Sequence, residues 1–114
     1  MNSKVLHELR KFISDSKVDM FASISADRTR YLTVVMENVA KTHNASAVIR
    51  TCDCFGIQDL HLLQREAVYE SVRDISLGAA QWIDIHSQSN QEESTPDYLK
   101  RLKSKGYKLS LIHI

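Results

Sequence analysis

Apolar and polar positions change period along this chain, and each change marks an element. Between Lys4 and Ile13, the residues Val5, Leu6, Leu9, Phe12 and Ile13 fall at helical spacing. They predict an amphipathic first helix whose apolar stripe needs a partner. Val18 to Ile24 predicts a second short helix, with Arg28 and Arg30 just beyond it and before the first strand. The run Tyr31-Leu32-Thr33-Val34-Val35-Met36 lacks strict alternation, which suits a strand covered on both faces of a parallel sheet. A polar turn follows Glu37-Asn38-Val39, and the stretch from His43 to Ile57 holds a helix. Asn44 is placed to cap that helix and Gly56 to end it in the left-handed conformation.

The second half continues the alternation. Leu60 to Leu63 predicts a second strand, and Trp82-Ile83-Asp84-Ile85 alternates like a shorter third one. Ser87 to Ser94 reads as a polar linker. Thr95 then caps a helix with Pro96 at its first position, Tyr98, Leu99 and Leu102 on its buried face, and Gly106 as its stop. Tyr107 onward predicts a further strand. Strands alternating with helices, without hairpin dipeptides or repeats, predict an α/β fold with a parallel sheet and flanking helices.

Composition narrows the picture only slightly. A chain of 114 residues with 25% charged residues and a net charge of +1 forms one small domain, and the charge alone demands no nucleic acid. Apolar runs are far too short to span a bilayer and the amino terminus shows no signal pattern, so the expected location is cytoplasmic, without a membrane. Cys52 and Cys54 diverge on one predicted helix and lack zinc spacing, so both are expected to be reduced packing thiols. His7, His61 and His86 have no ligand companions at metal spacing.

The polar string after the first strand holds the candidate chemistry. Strand, turn and helix in that order set side chains at the carboxyl edge of the strand, where open α/β sheets bind ligands. Read from its own neighbourhood, Arg50 three residues before Asp53 is a helical ion pair worth a few tenths of a kcal/mol, and Asn44 is a cap. His43 either touches a ligand or covers a strand end. Arg28, Arg30 and Lys41 are candidates for gripping phosphate or belong to a solvated face. Trp82 reads as core, with stacking on a base as the alternative.

The string Glu37-Asn38-Val39, then His43-Asn44-Ala45-Ser46-Ala47-Val48-Ile49-Arg50-Thr51-Cys52-Asp53 and Phe55-Gly56-Ile57, resembles the first motif of the SpoU-type RNA 2′-O-ribose methyltransferases of the SPOUT superfamily. Weaker similarity continues through Gln58 to Leu63, Leu77 to Trp82, Leu99 to Lys103 and Gly106-Tyr107. Within that family the pattern is most similar to the TrmH-like branch that methylates the D-loop guanosine of tRNA. The resemblance implies Arg50 as the catalytic residue and Asn44 as the residue that orders the motif loop or positions it. Arg28, Arg30, Lys41 and His43 become the expected RNA contacts. A guanidinium stays protonated and has no acceptor, so clamping a phosphate and steadying a developing alkoxide suits Arg50 better than taking a proton.

The resemblance further implies S-adenosylmethionine as cofactor, RNA (tRNA) as substrate and a homodimer built on the family's carboxyl-terminal knot. Residues 1–30 are expected to be an amino-terminal helical extension, and 31–114 the amino-terminal half of the catalytic domain. The family's Gly-x-Glu-x-x-Gly and Ser-Leu-Asn segments have no counterpart before Ile114, so no cofactor site is expected in these residues. The stretch Leu109-Ser110-Leu111-Ile112-His113-Ile114 departs from the family pattern and reads as foreign. Two other readings stay open: a non-catalytic RNA-binding or assembly module, and a nucleotide-binding domain, for which no Gly-rich phosphate loop is present. With sheet surface left wet, the chain is expected to be marginally stable and prone to associate. Calorimetric titration of the 114-residue chain with S-adenosylmethionine is expected to show no saturable binding; binding at micromolar cofactor would place the pocket within these residues.

Overall fold

A computed structural model describes residues 3–39, 41–63, 78–88 and 93–110, to which every structural statement refers. The elements are α1 (Ser3–Arg10), α2 (Asp15–Ala26), β1 (Thr29–Glu37), α3 (Thr42–Cys54), β2 (Ile57–Leu63), a 3-10 turn (Ala79–Gln81), β3 (Asp84–Ser87) and α4 (Thr95–Ser104). The strands lie in the order β1-β2-β3 and both pairings are parallel. The expected α/β class and parallel sheet are therefore found. In register, Thr33 faces Asp59, Val35 faces His61 and Glu37 faces Leu63, while Asp59 faces Asp84 and His61 faces His86.

Side-chain alternation sends successive β2 residues to opposite faces. Leu60 and Leu62 meet Ala45, Ile49 and Cys52 of α3, with Met36, Ile57 and Ile83 closing this apolar layer. Leu63 meets Tyr98 and Leu102 of α4, with Val35 and Tyr107 packed alongside. β2 is thus covered on both faces, whereas β1, expected to be covered likewise, is buried only at Met36, half-buried from Thr33 to Val35 and exposed at Tyr31 and Leu32, because it ends the sheet among the described residues.

Several boundaries differ from expectation, each for a local reason. α2 begins earlier because Ser14 caps it, its hydroxyl accepting from the Lys17 amide at 3.3 Å. β1 begins at Thr29, so Arg30 lies inside the strand rather than before it. Trp82 precedes β3, half-buried and packed edge-to-face on Phe21 with ring centroids 5.6 Å apart. α4 is capped by Ser94, which accepts from the Asp97 amide at 3.3 Å; Thr95 is its first residue and Pro96 its second. Residues 107–110 carry no regular structure, so the strand expected from Tyr107 does not start there, and 111–114 lie outside the described residues. Residues 64–77 and 89–92 lie outside them too, with part of the expected linker. Cys52 is buried, and burial pushes its thiol up; Cys54, two positions on along the helix, is exposed rather than packed in the core as expected.

Arg28 ties the start of the sheet to the end of α3. Its Nε donates to Gln58 Oε1 at 2.9 Å, Nη1 to the Asp53 carbonyl and to Asp53 Oδ1 at 3.2 and 2.7 Å, and Nη2 to the carbonyls of Ile57 and Trp82, both at 3.1 Å. All five N–H groups of the guanidinium are used. Beside it Gly56 adopts φ +72°, its carbonyl accepts from the Thr29 amide at 2.7 Å, and a Cβ there would lie 2.4 Å from the Asp27 carbonyl oxygen. Only glycine fits that approach.

With the Arg28 side chain only 10% exposed, Arg28→Met is expected to cost about 3 kcal/mol or more, because it orphans the Asp53 carboxylate and three carbonyls. Urea denaturation followed by circular dichroism measures this. Arg28→Lys is expected to recover little of the loss, since a point donor cannot span five acceptors.

Candidate active site at the carboxyl edge and helix α3

β1 leaves the sheet at Glu37, and the next residue turns the chain. Asn38 has φ +46°, a left-handed conformation that Asn tolerates better than most residues, and its amide donates to the Leu63 carbonyl at 2.9 Å. This bond fastens the turn to the end of β2. Glu37 Oε1 accepts from the Thr95 hydroxyl at 2.7 Å, which draws the start of α4 to the same edge. α3 then begins at Thr42, so its amino terminus stands at the carboxyl edge of the sheet.

The expected cap at Asn44 is corrected by the helix bounds. The residue preceding α3 is Lys41, with extended backbone and no side-chain cap, and Asn44 sits inside the first turn with its amide donating to the Lys41 carbonyl at 3.0 Å. Among the described residues the first turn of α3 thus gets no cap from the Lys41 side chain, a favourable setting for an anion. Ala45, Ser46, Ile49 and Cys52 are buried, which turns His43, Asn44, Ala47 and Arg50 to the exposed side. At 3.6 residues per turn, His43 and Arg50 share one face about 10 Å apart, while Asn44 lies about 120° around the helix from Arg50. Asp53, the helical neighbour a structural reading pairs with Arg50, gives Oδ1 to Arg28. Ser46 Oγ is buried without a hydrogen-bond partner among the described residues.

The basic residues separate into two groups. Lys41 and His43 are exposed at the start of α3, on the same edge as Asn38. Arg28 was expected to grip phosphate, but its donors are consumed inside the fold. Arg30 is an ion-pair hub at the opposite end of the sheet, with Nη1 on both oxygens of Asp59 at 2.6 and 2.7 Å and Nη2 on Asp84 Oδ2 at 2.8 Å. Its side chain remains 63% exposed.

Sequence reasoning missed the polar cluster that this hub begins, on the α4 face of the sheet. His86 Nε2 bonds Asp59 Oδ1 at 2.9 Å, His86 stacks on His61 with ring centroids 4.8 Å apart, and His61 Nδ1 bonds the Tyr98 hydroxyl at 2.6 Å. Arg101 lies over the Tyr98 ring at 4.4 Å. Burial alone pushes the Asp59 carboxyl up, but the bonds from His86 and Arg30 outweigh it and hold it below the usual range. Burial, helped by the neighbouring His86, pushes His61 down to about 4. The two-residue periodicity of Asp59-His61 and Asp84-His86 on paired strands was the available signal.

The described residues contain no group of three or more His, Cys, Asp or Glu placed to hold a metal. No helix among them is long and apolar enough to cross a membrane. At the carboxyl edge the groups reaching solvent are Glu37, Asn38, Lys41, His43 and Asn44, all polar and exposed. An adenosine moiety needs a concave, largely apolar wall, so these residues by themselves do not fit S-adenosylmethionine.

A parallel α/β sheet that gathers polar groups and a helix amino terminus at its carboxyl edge has the arrangement in which open α/β proteins bind ligands. The SpoU rRNA Methylase family model matches residues 31–114, and the chain belongs to that family. It is 36% identical over 101 residues to the tRNA (guanosine(18)-2′-O)-methyltransferase of Borreliella burgdorferi, covering 89% of this chain and 44% of the relative. The Thermus thermophilus enzyme of the same name is 32% identical over 67% of this chain and 37% of its own length. Among solved structures, the crystal structure of the Aquifex aeolicus TrmH/SpoU tRNA modifying enzyme superposes with a TM-score of 0.68 at 26% identity, covering 81% of this chain and 45% of that one. The chain thus spans less than half the length of these relatives.

The His61 cluster yields a pH prediction. His61 is neutral in the fold down to about pH 4, whereas the unfolded chain protonates it near its ordinary value of about 6.5. The unfolded state then binds the proton first, so stability is expected to fall as pH drops from about 6.5 to about 4, by about 3 kcal/mol in all. Urea midpoints across this range measure the slope, and His61→Gln is expected to flatten it. An unchanged slope in that variant would assign the acid sensitivity elsewhere.

Proposed function

We propose that this chain is the amino-terminal part of an S-adenosylmethionine-dependent RNA 2′-O-ribose methyltransferase whose substrate is a D-loop guanosine of tRNA. Supporting this are the family membership and the shared name of the relatives. The observation that carries it is the exposed position of Arg50 on α3, one face with His43, inside the matched segment. In this reading residues 1–30 form a helical extension and 31–114 the first half of the catalytic domain. The remaining segments supply the cofactor pocket and the knot on which a cytoplasmic homodimer assembles.

Each residue then has a physical task. Arg50 clamps the RNA phosphate next to the target ribose with its planar fork and steadies charge developing on the 2′-oxygen. Asn44 orders the first turn of α3, while Lys41 and His43 approach the RNA backbone near the uncapped helix start. Arg30, exposed at the far end of the sheet though paired with Asp59 and Asp84, adds a longer-range contact. When bound, the cofactor supplies the methyl group; this chain's residues bind and orient the ribose that receives it.

In a protein of the relatives' full length containing this segment, Arg50→Ala is expected to lower single-turnover methylation about a hundredfold or more, with cofactor affinity nearly unchanged. Arg50→Lys is expected to rescue little. Near-normal rates in Arg50→Ala would reduce Arg50 to a surface residue. RNA binding that persists with no methyl transfer in the unmutated protein would favour a non-catalytic binding module.

A further inference from the structure

Among the described residues the buried polar side chains include Ser46, Asp59 and His61. Two of them are bonded, Asp59 to Arg30 and His86, and His61 to Tyr98. Ser46 is not: the residue is 1% exposed, and its Oγ has no hydrogen-bond partner among the described residues. A serine or threonine inside a helix can bond the carbonyl four residues back. Thr51 does so on this same helix, its Oγ1 donating to the Ala47 carbonyl at 2.9 Å. Ser46 makes no such bond to Thr42. A buried hydroxyl without a partner opposes folding, and an alanine in its place would favour the helix and shed that cost. The fold therefore gains nothing from this hydroxyl, and its place on α3 points to another use.

That place is beside Arg50. Side chains four residues apart stand on adjacent turns of a helix, with Cβ atoms about 5–6 Å apart. Ser46 lies about 40° around α3 from Arg50, where the buried face meets the exposed one. Long helical side chains lean toward the amino end, which carries the Arg50 stem back over the turn that holds Ser46. The chemistry matches, because a guanidinium has donors alone and a hydroxyl with unused lone pairs accepts from one of them. Asp53, the other helical neighbour able to set the guanidinium, gives Oδ1 to Arg28. We propose that Ser46 is a positioning residue for Arg50, its Oγ accepting a guanidinium N–H when RNA is bound and so fixing the plane of the fork that clamps the phosphate. One N–H is used in this way, which leaves a parallel pair for the phosphate oxygens. The inference rests on the role proposed for Arg50 and deepens it.

A double-mutant cycle of Ser46→Ala and Arg50→Ala tests this in a protein of the relatives' full length, read in single-turnover methylation, tRNA affinity and melting temperature. Ser46→Ala is expected to keep or raise the melting temperature, to leave cofactor affinity unchanged and to slow methylation about tenfold. In the Arg50→Ala background the same change is expected to slow it less than about twofold, because the group it positions is gone. An unchanged rate in Ser46→Ala overturns the inference. So does an equal loss with and without Arg50, or a fall in melting temperature that accompanies the loss. Should the unmutated protein bind tRNA without methylating it, the proposed function fails, and the cycle read in tRNA affinity decides the inference: losses that depend on Arg50 uphold it, and additive losses or none overturn it.

Discussion

One buried arginine organises the amino-terminal side of this fold. Arg28 sits between α2 and β1, and its five bonds reach the end of α3, the start of β2 and the backbone before β3. A parallel strand cannot be joined to its neighbour by a tight turn, so its ends need some other fastening. Here a single planar cation supplies it for three segments at once. Gly56 makes the clamp sterically possible by letting the turn after α3 approach the Asp27 carbonyl. The hold is one of shape as much as charge, because three of the acceptors are backbone carbonyls that lysine could not all reach.

With the amino ends fixed in this way, the carboxyl ends are free for chemistry. Asp53 is occupied by Arg28, and the apolar side of α3 is committed to Leu60 and Leu62 through Ala45, Ile49 and Cys52. What remains outward on α3 is His43, Asn44, Ala47 and Arg50. The separation is a common economy of open α/β sheets, in which one edge carries stability and the other carries ligands. On the opposite sheet face, α4 is held by Leu102 packing and by the Tyr98 bond to a neutral His61. Burial of His61 makes the second layer acid-sensitive, whereas the cluster under α3 is built from apolar side chains such as Ile49, Leu60 and Leu62.

How much of this was legible in the sequence follows the distance between partners. The core of β1, the body of α3, the stop at Gly56 and the buried side of α4 are local patterns, and each was readable. The role proposed for Arg50 rests on the motif that surrounds it, since its own spacing to Asp53 suggests an ion pair. The Arg28 clamp was hidden because its partners lie 25 to 54 residues away, and a lone arginine before a strand looks like any surface cation. His61 and Tyr98 are 37 residues apart and met no known spacing. Asn44 misled because Asn favours caps, yet Thr42 and His43 are equally able to take helical geometry and the helix started with them. Cys54 misled because helical rotation, which buries Cys52 beside Ile49, turns a residue two positions on toward solvent.

We propose a division of labour between two arginines, Arg28 for the fold and Arg50 for the substrate. The direct measurement is a paired one in a protein of the relatives' full length: melting temperature and 2′-O-methylguanosine formed in tRNA, for Arg28→Met and Arg50→Ala side by side. The account predicts a large fall in melting temperature with Arg28→Met, and loss of product with unchanged melting in Arg50→Ala. Equal loss of melting temperature in both variants, or full product formation without Arg50, would contradict it.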